Sequence, residues 1–359
     1  MKNTLYAILV SVVLASLPAE SKPPIPSPAD RSVVVLTQNV YGGVDDLLDA
    51  VPQAGNAAEL AQRVTAVYEG YFERDFHERA ASLARTVDAI RPDLIALQEA
   101  ILVRTQSPAD GPATPATAVA LDYVQILLDA LVARGLQYEI VVQSANFDAE
   151  LPSSLGFDVR HTDREVILAR SDLKVSDLKL SNAQGANFTT TCVLPTPALG
   201  TVAFTRGWVS VDVKVRGKQL RLISAHLDVT CLPFTTAIQQ AQAAELLAGP
   251  AATTLPVVLV GDLNSPADGT GPTYNDLAAA GFVDAAIGTG ATQPTCCQAA
   301  DLLNPASLLD TRIDLILIRG NVTAVAAEVV GDSAADRTPS GLWPSDHAGV
   351  AATLRMSPR

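Results

Sequence analysis

The sequence predicts a layered α/β fold, and three observations carry that reading. Short β-branched runs of buried-strand type recur along the chain, the first being SVVVLTQNV from Ser32 to Val40. Between them lie Ala-, Glu- and Arg-rich stretches with apolar positions at helical spacing. No long linker separates two cores, so one domain over residues 32–356 is the economical organisation.

Taken in order, the amino terminus reads MKNTLYAILVSVVLASLPAES, with Lys2 ahead of a largely apolar run and a small-x-small triplet at Ala19-Glu20-Ser21. Residues 1–21 are therefore expected to be a signal peptide. The apolar run is shorter than the roughly 20 residues that span a bilayer, and no later stretch is long enough. The mature chain is expected to be secreted or periplasmic, without stable membrane insertion. Residues 22–31 form a Pro-rich linker.

The first strand, Ser32 to Val40, carries Asn39 to its C-terminal end. Ala57 to Tyr71 and Phe76 to Ile90 are helical, the second stopped by Arg91-Pro92-Asp93. LIALQEA is a buried strand that delivers Glu99. Residues 103–117, rich in Pro, Ser, Thr and Gly, read as a loop, and Val119 to Arg134 as a helix. Strands follow at Tyr138 to Gln143, Val166 to Ala169, Trp208 to Val215 and Gln219 to Ala225, the last two joined by a turn at Arg216-Gly217-Lys218. Thr235 to Leu247 is an amphipathic helix, and Pro256 to Val260 a buried strand leading into Asp262. Arg312 to Ile318 and Gly349 to Leu354 are the closing strands. There is no internal repeat.

With 359 residues, 48% hydrophobic and 18% charged, the chain can bury a large core and does not read as disordered. Its formal charge of -13, from 38 acidic against 25 basic residues, disfavours loose association with polyanions unless a groove or a bound metal reverses the local field. Of the four cysteines, Cys192 and Cys231 are the expected disulfide, because they flank one strand pair; that leaves Cys296 and Cys297 as a vicinal bridge or free thiols. Zinc is the rival reading, but no CxxC and no His nearby in sequence supports it.

Five strand ends carry polar clusters: Gln38-Asn39, Gln98-Glu99, His226-Leu227-Asp228, Asp262-Leu263-Asn264 and Ser345-Asp346-His347. Ligands of layered α/β folds gather beyond the ends of central strands, so these clusters plausibly share one cleft. The oxygen donors Asn39, Glu99, Asp262, Asn264, Asp314 and Asp346 make a hard-ligand set suited to Mg2+, with Mn2+ or Ca2+ as alternatives. Such an ion beside a carboxylate and an imidazole is what phosphate-ester hydrolysis requires. Singly each signal is weaker: GDLN is also a turn followed by a helix cap, and Glu99 or Asp314 a paired core acid.

The series QNV, LIALQEA, ISAHLD, VVLVGDLNS, RIDLILI and WPSDHAGV, running in that order from Val33 to Thr353, resembles the endonuclease/exonuclease/phosphatase superfamily. The resemblance implies a deoxyribonuclease I-like, four-layer α/β/β/α sandwich of two packed mixed β-sheets. It implies metal binding by Asn39 and Glu99, with Asp314 and Asp346 supporting. Asp262 would orient or deprotonate the attacking water, and Asn264 would hold the phosphate. His347 would contact the scissile phosphate with its ring fixed by Asp346, and His226 would be a second phosphate-facing imidazole. Arg164 and Arg206, just before strands that lead to the same region, are candidate phosphate ligands, although ordinary salt bridges explain them equally well. His77 and His161 lack such context and are expected at the surface. Asn39 and Glu99 lie 60 positions apart, more than in the compact family pattern, so residues 44–75 read as an insertion, either a substrate-shaping lid or decoration.

The expected activity is that of an exported, divalent-metal-dependent phosphodiesterase or endonuclease acting on nucleic acid or nucleotides as a monomer. Arg160, Arg164, Arg170, Arg206 and Lys214 are the candidate groove cations. The alternative is a phosphatase or sphingomyelinase-type enzyme on inositol phosphates or phospholipids. The 5% aromatic content and the lack of an exposed adjacent aromatic pair count against a membrane substrate. A non-catalytic binding module on the same fold is the remote alternative, disfavoured by the intact acid, amide and imidazole set.

Overall fold

The structure, a computed structural model, describes residues 32–43, 47, 51–229 and 233–356. The expected signal peptide, the linker, part of the expected insertion and Cys231 lie outside the described residues.

In chain order the strands are β1 (Ser32–Asn39), β2 (Leu94–Gln98), β3 (Leu102–Gln106), β4 (Ala118–Asp122), β5 (Tyr138–Pro152), β6 (Asp158–Arg170), β7 (Leu178–Asn187) and β8 (Cys192–Thr196). They continue as β9 (Gly200–Phe204), β10 (Gly207–Val215), β11 (Lys218–His226), β12 (Val257–Asp262), β13 (Val283–Asp284), β14 (Asp314–Arg319), β15 (Val322–Val330) and β16 (Gly349–Met356). The helices are α1 (Ala57–Glu73), α2 (Phe76–Ile90), α3 (Tyr123–Ala133), α4 (Thr235–Ala248) and α5 (Pro272–Ala279).

One sheet runs β15-β16-β1-β2-β6-β3-β4, with β5 also paired to β6; the other runs β13-β14-β12-β11-β10-β7. Each is mixed, because β1–β2 and β11–β12 pair parallel and their neighbours antiparallel. Side chains alternate across a strand, and the sequence uses both faces. Val33, Val35, Leu94 and Ala96 point from the first sheet into a core shared with Val211, Leu222, Val258, Val260 and Ile316 of the second. Leu36, Ile95 and Leu97 point outward under Val64, Leu83, Val87, Val124 and Leu127 of α1–α3. Ile223, Leu259 and Leu317 face Ala243 and Leu246 of α4 and Leu277 of α5. Helix, sheet, sheet and helix are thus four layers around three cores, as the family resemblance implies. Burying each large aliphatic contributes roughly 1.5–3 kcal/mol, so strands apolar on both faces hold the sandwich at its centre.

Residues 103–117, expected as a loop, contain most of β3, and the helix expected from Val119 starts only at Tyr123. Leu102 and Val103 pair with Asp122 and Leu121. Asp122 then ends β4 and caps α3, its carboxylate accepting from the N–H groups of Val124 and Gln125. Strand pairing overrides an apolar pattern that fits either element. Strands β7 and β15 were not expected: they are edge strands whose polar or Ala-rich sequences bury little on one face.

The topology also places the polar strand ends together. Parallel pairing sets Asn39 beside Gln98, and His226 beside Asp262. Antiparallel pairing sets Asp314, at the start of β14, against Asp262, the last residue of β12. Strand β16 runs antiparallel to β1 and begins two residues after His347.

Candidate active site

Asp262 is the centre of the cleft. Its Oδ2 accepts from Asn39 Nδ2 at 3.1 Å and lies 3.6 Å from His226 Nε2 and 3.8 Å from His347 Nε2. Its Oδ1 accepts from the backbone N–H of Asn264 at 3.0 Å, which fixes the carboxylate from behind. Gly261 allows this close packing. It holds φ 134°, and a Cβ there would stand 2.0 Å from the Ala225 carbonyl oxygen on β11.

Glu99 follows β2 at φ 55°, a left-handed conformation that turns its carboxylate back over the strand end. Its Oε1 accepts from Asn39 Nδ2 at 3.2 Å and its Oε2 from the Gly42 N–H at 2.8 Å. Asn39 Nδ2 therefore bridges Glu99 and Asp262. Asn264, also left-handed at φ 48°, donates from Nδ2 to the Leu227 carbonyl at 3.0 Å, leaving its second amide hydrogen for a ligand.

The structure corrects the partner of His347. Asp314 Oδ2, not Asp346, lies 2.8 Å from His347 Nδ1. The antiparallel register places Asp314 under the ring, whereas Asp346 Oδ1 accepts from Ser345 Oγ at 3.4 Å. Burial pulls the imidazole toward neutrality, but the charges of Asp314, Asp346 and Asp262 and the Asp314 hydrogen bond outweigh it. His347 is held well above its usual range.

His226 has the opposite setting. Its Nδ1 lies 3.2 Å from Arg206 Nη1. A guanidinium only donates, so Nδ1 must accept, and the proton of a neutral ring then sits on Nε2, facing Asp262. Burial first, then the charges of Arg206 and His347, push His226 well below its usual range. Asp262 is raised to about 7, by burial first and then by the Asp314 charge, against the lowering effects of His347 and Asn39.

Neither arginine proposed as a phosphate ligand lies on the rim. Arg164 is buried, donating to the carbonyls of Ala100 and Ile101 and paired with Asp122 at 2.5 Å, so it braces the chain just after Glu99. Arg206 is buried against His226 and lies 3.6 Å from Asp163. Behind His226, Asn146 donates to both Asp163 and Glu165, and burial raises both acids. Sequence reasoning missed this layer, although the alternation of Asp163 and Glu165 on β6 was its available signal. His161, expected at the surface, is buried with Nδ1 2.8 Å from Tyr71 Oη of α1, and burial lowers it to about 4. His77 is exposed, as expected.

Helix α1, part of the expected insertion, therefore packs on β6, and Arg74 just beyond it lies over the Tyr41 ring at 5.3 Å, bracing the loop after Asn39. Two glutamines of α4 support the opposite wall. Gln239 Nε2 donates to the carbonyls of Asp228 and Asn264, and Gln242 Oε1 accepts from the Asp228 N–H.

The donors fit a hard divalent cation. Glu99, Asp262 and Asp314 bring buried carboxylate oxygens to one edge of the sheets, Asn39 Oδ1 accepts from the Tyr41 N–H, and Asp314 Oδ1 has no hydrogen-bond partner among the described residues. Single ligand atoms of Asp262, Asp314 and His347 lie within 4.8 Å of one another.

Of the two cysteine expectations, the adjacent pair is the one the described residues address. Cys192 is buried at the start of β8, and its expected partner Cys231 lies outside the described residues. The sulfurs of Cys296 and Cys297 lie against each other, and Cys297 Sγ is 3.8 Å from His347 Nε2. An imidazole thus stands beside the pair, 50 positions away in sequence.

Comparison with known proteins agrees with this geometry. The sequence model of the Endonuclease/Exonuclease/phosphatase family matches residues 36–347. No curated protein matches the sequence. Among solved structures, an endonuclease/exonuclease/phosphatase family protein from Leptotrichia buccalis superposes at TM-score 0.56 with 16% identity, covering 90% of this chain and 100% of its own. A mannosyl-6-phosphatase from Bacteroides thetaiotaomicron gives 0.55 and 16%, over 90% and 99%. TDP2 from D. rerio, complexed with a single-strand DNA product, gives 0.53 and 18%, over 91% and 100%. At these identities the likeness is one of fold.

Proposed function

The chain belongs to the endonuclease/exonuclease/phosphatase family, whose members are phosphoester hydrolases that use divalent metal ions, and we propose that it hydrolyses phosphodiesters of nucleotides or nucleic acid with Mg2+. The observation that carries this reading is a single carboxylate, Asp262, within reach of two imidazoles whose far nitrogens lie against a carboxylate, Asp314, and a guanidinium, Arg206.

Glu99, Asn39 and Asp346 would hold the ion, which when bound polarises a phosphoryl oxygen and offsets the charge building on it. His347 keeps its proton and presents a charged Nε2–H donor to a phosphate oxygen, while Asp314 holds the ring. His226 presents a neutral Nε2–H donor from the other side. Asp262, raised to about 7, orients the water and takes its proton near neutral pH. Asn264 offers its remaining amide hydrogen to the phosphate.

One observation favours a second, smaller class of substrate. Arg160, Arg164, Arg170 and Arg206 all pair with carboxylates of this chain, so they are not a free cationic track for a polyanion. Small soluble phosphate monoesters are therefore the runner-up. The proposal includes export, which residues 1–21 support by their charge and apolar pattern; amino-terminal sequencing of protein from the culture medium or periplasm tests it.

Purified protein with Mg2+ is assayed on plasmid DNA, a dinucleotide, a nitrophenyl phosphodiester and sugar phosphates, each with and without chelator. The expected result is diester cleavage that chelator abolishes and Mg2+ restores. Cleavage of monoesters alone would transfer the assignment to the runner-up, and hydrolysis indifferent to chelator would remove the metal from the mechanism.

A further inference from the structure

Cys296 and Cys297 stand at the mouth of the cleft on a segment tied to the catalytic loop. The Gln298 N–H donates to the Asp346 carbonyl at 2.8 Å, and the Ala348 N–H to the Thr295 carbonyl at 2.8 Å. Thr295 Oγ1 accepts from the N–H groups of Ile313 and Asp314, both at 3.1 Å. These bonds anchor the cysteines to the strand that carries Asp314 and the loop that carries His347. Cys297 is exposed, whereas Cys296 and His347 are buried, and single ligand atoms of the three lie within 4.8 Å of one another.

We propose that Cys296 Sγ, Cys297 Sγ and His347 Nε2 form a site for a thiophilic divalent cation of the Zn2+ class when the cysteine pair is open as a dithiol, and that occupation of this site inhibits hydrolysis. Two thiolates and an imidazole select such an ion over the hard cation suited to the oxygen donors. Tetrahedral zinc with ordinary bond lengths separates a sulfur from an imidazole nitrogen by about 3.5 Å; Cys297 Sγ and His347 Nε2 are 3.8 Å apart. Asp314 on Nδ1 supplies the carboxylate that metal-binding imidazoles usually carry on the far nitrogen.

The chemistry balances. With the pair closed as a disulfide, a small dithiol reductant gives two electrons and two protons, becoming a disulfide itself, and Cys296 and Cys297 become thiols. Zn2+ then displaces three protons, two from the thiols and one from His347 Nε2, and takes the Nε2 lone pair, so that His347 no longer offers a proton to phosphate. The inhibitory consequence rests on the role proposed above for His347; the binding does not.

Co2+ is the optical probe. Dithiol-treated full-length protein is expected to show a near-ultraviolet thiolate-to-cobalt band at one equivalent, bleached by Zn2+. Added Zn2+ is expected to suppress Mg2+-supported hydrolysis about tenfold or more. Untreated protein, and the Cys296→Ser/Cys297→Ser double variant given the same reductant, are expected to lack the band and to be about 10–100-fold less sensitive to Zn2+. Basal hydrolysis of the double variant should be unchanged. Absence of the band in reduced wild type overturns the site. Equal Zn2+ inhibition in wild type and double variant overturns the inhibition and places that zinc among the oxygen donors. Because the band is read without substrate, it separates failure of this site from failure of the proposed hydrolysis.

Discussion

His226 and His347 face the same oxygen of Asp262 from 3.6 and 3.8 Å, yet their far nitrogens meet opposite charges. Behind His347 stands a carboxylate, Asp314, which raises the ring's affinity for a proton; behind His226 stands a guanidinium, Arg206, which adds to burial in lowering it. The difference shows that the two imidazoles are not duplicates. In the proposed mechanism one wall of the cleft carries charge to the phosphate, and the other supplies a neutral donor in one tautomer. Residues well behind the reacting groups assign these roles.

The largest expected effect falls on the charged wall. His347→Ala should lower turnover about 10³–10⁴-fold, and His226→Ala about tenfold less severely, with folding preserved by circular dichroism. Equal losses would mean that the walls are equivalent. Arg206→Met tests the neutral wall through stability, because it leaves Asp163 buried without its cation. A loss of about 3–5 kcal/mol by urea denaturation is expected, and an unchanged midpoint would deny the pair its structural role.

Asp314→Asn removes the main charge holding the proton on His347. Turnover should fall about 100-fold, and the alkaline limb of the pH profile should move to lower pH, because an imidazole with a lowered proton affinity loses its charge earlier as pH rises. The acid limb, set by protonation of Asp262, should also move to lower pH, because the Asp314 charge helps to raise that group. A profile unmoved on its alkaline side would assign that limb to another group. The smallest effect is expected far from both walls. Tyr71→Phe removes one buried hydrogen bond to His161 and should cost about 1 kcal/mol of stability with turnover unchanged. A drop in turnover would promote α1 from brace to participant in the cleft.

How much could be read without the structure follows the same division. Asn39, Glu99, His226, Asp262, Asn264 and His347 were legible because each ends, follows or just precedes an apolar strand, and layered sheets bring such ends to one edge. Their partners were not. Asp314 meets His347 only through the β12–β14 register, and Arg206 meets His226 across strands β10 and β11. Composition around Arg164 and Arg206 suited a phosphate ligand as well as a buried pair, and only burial decided between them. His161 sits in a polar stretch, HTDRE, that reads as surface, yet both faces of β6 are covered. The β3–β4 hairpin was obscured by prolines flanking its strands, and the Cys297–His347 approach by a separation of 50 positions.

Gly261 has a wider consequence. The absent methyl at this position sets the gauge between two neighbouring strands one step before His226 and Asp262 stand side by side. A spacing error there would not be absorbed by flexible side chains, since both reacting groups are rooted in the strands themselves. The sheet thus works as a jig, machined by an omission, and the tolerance of the chemistry is inherited from the backbone.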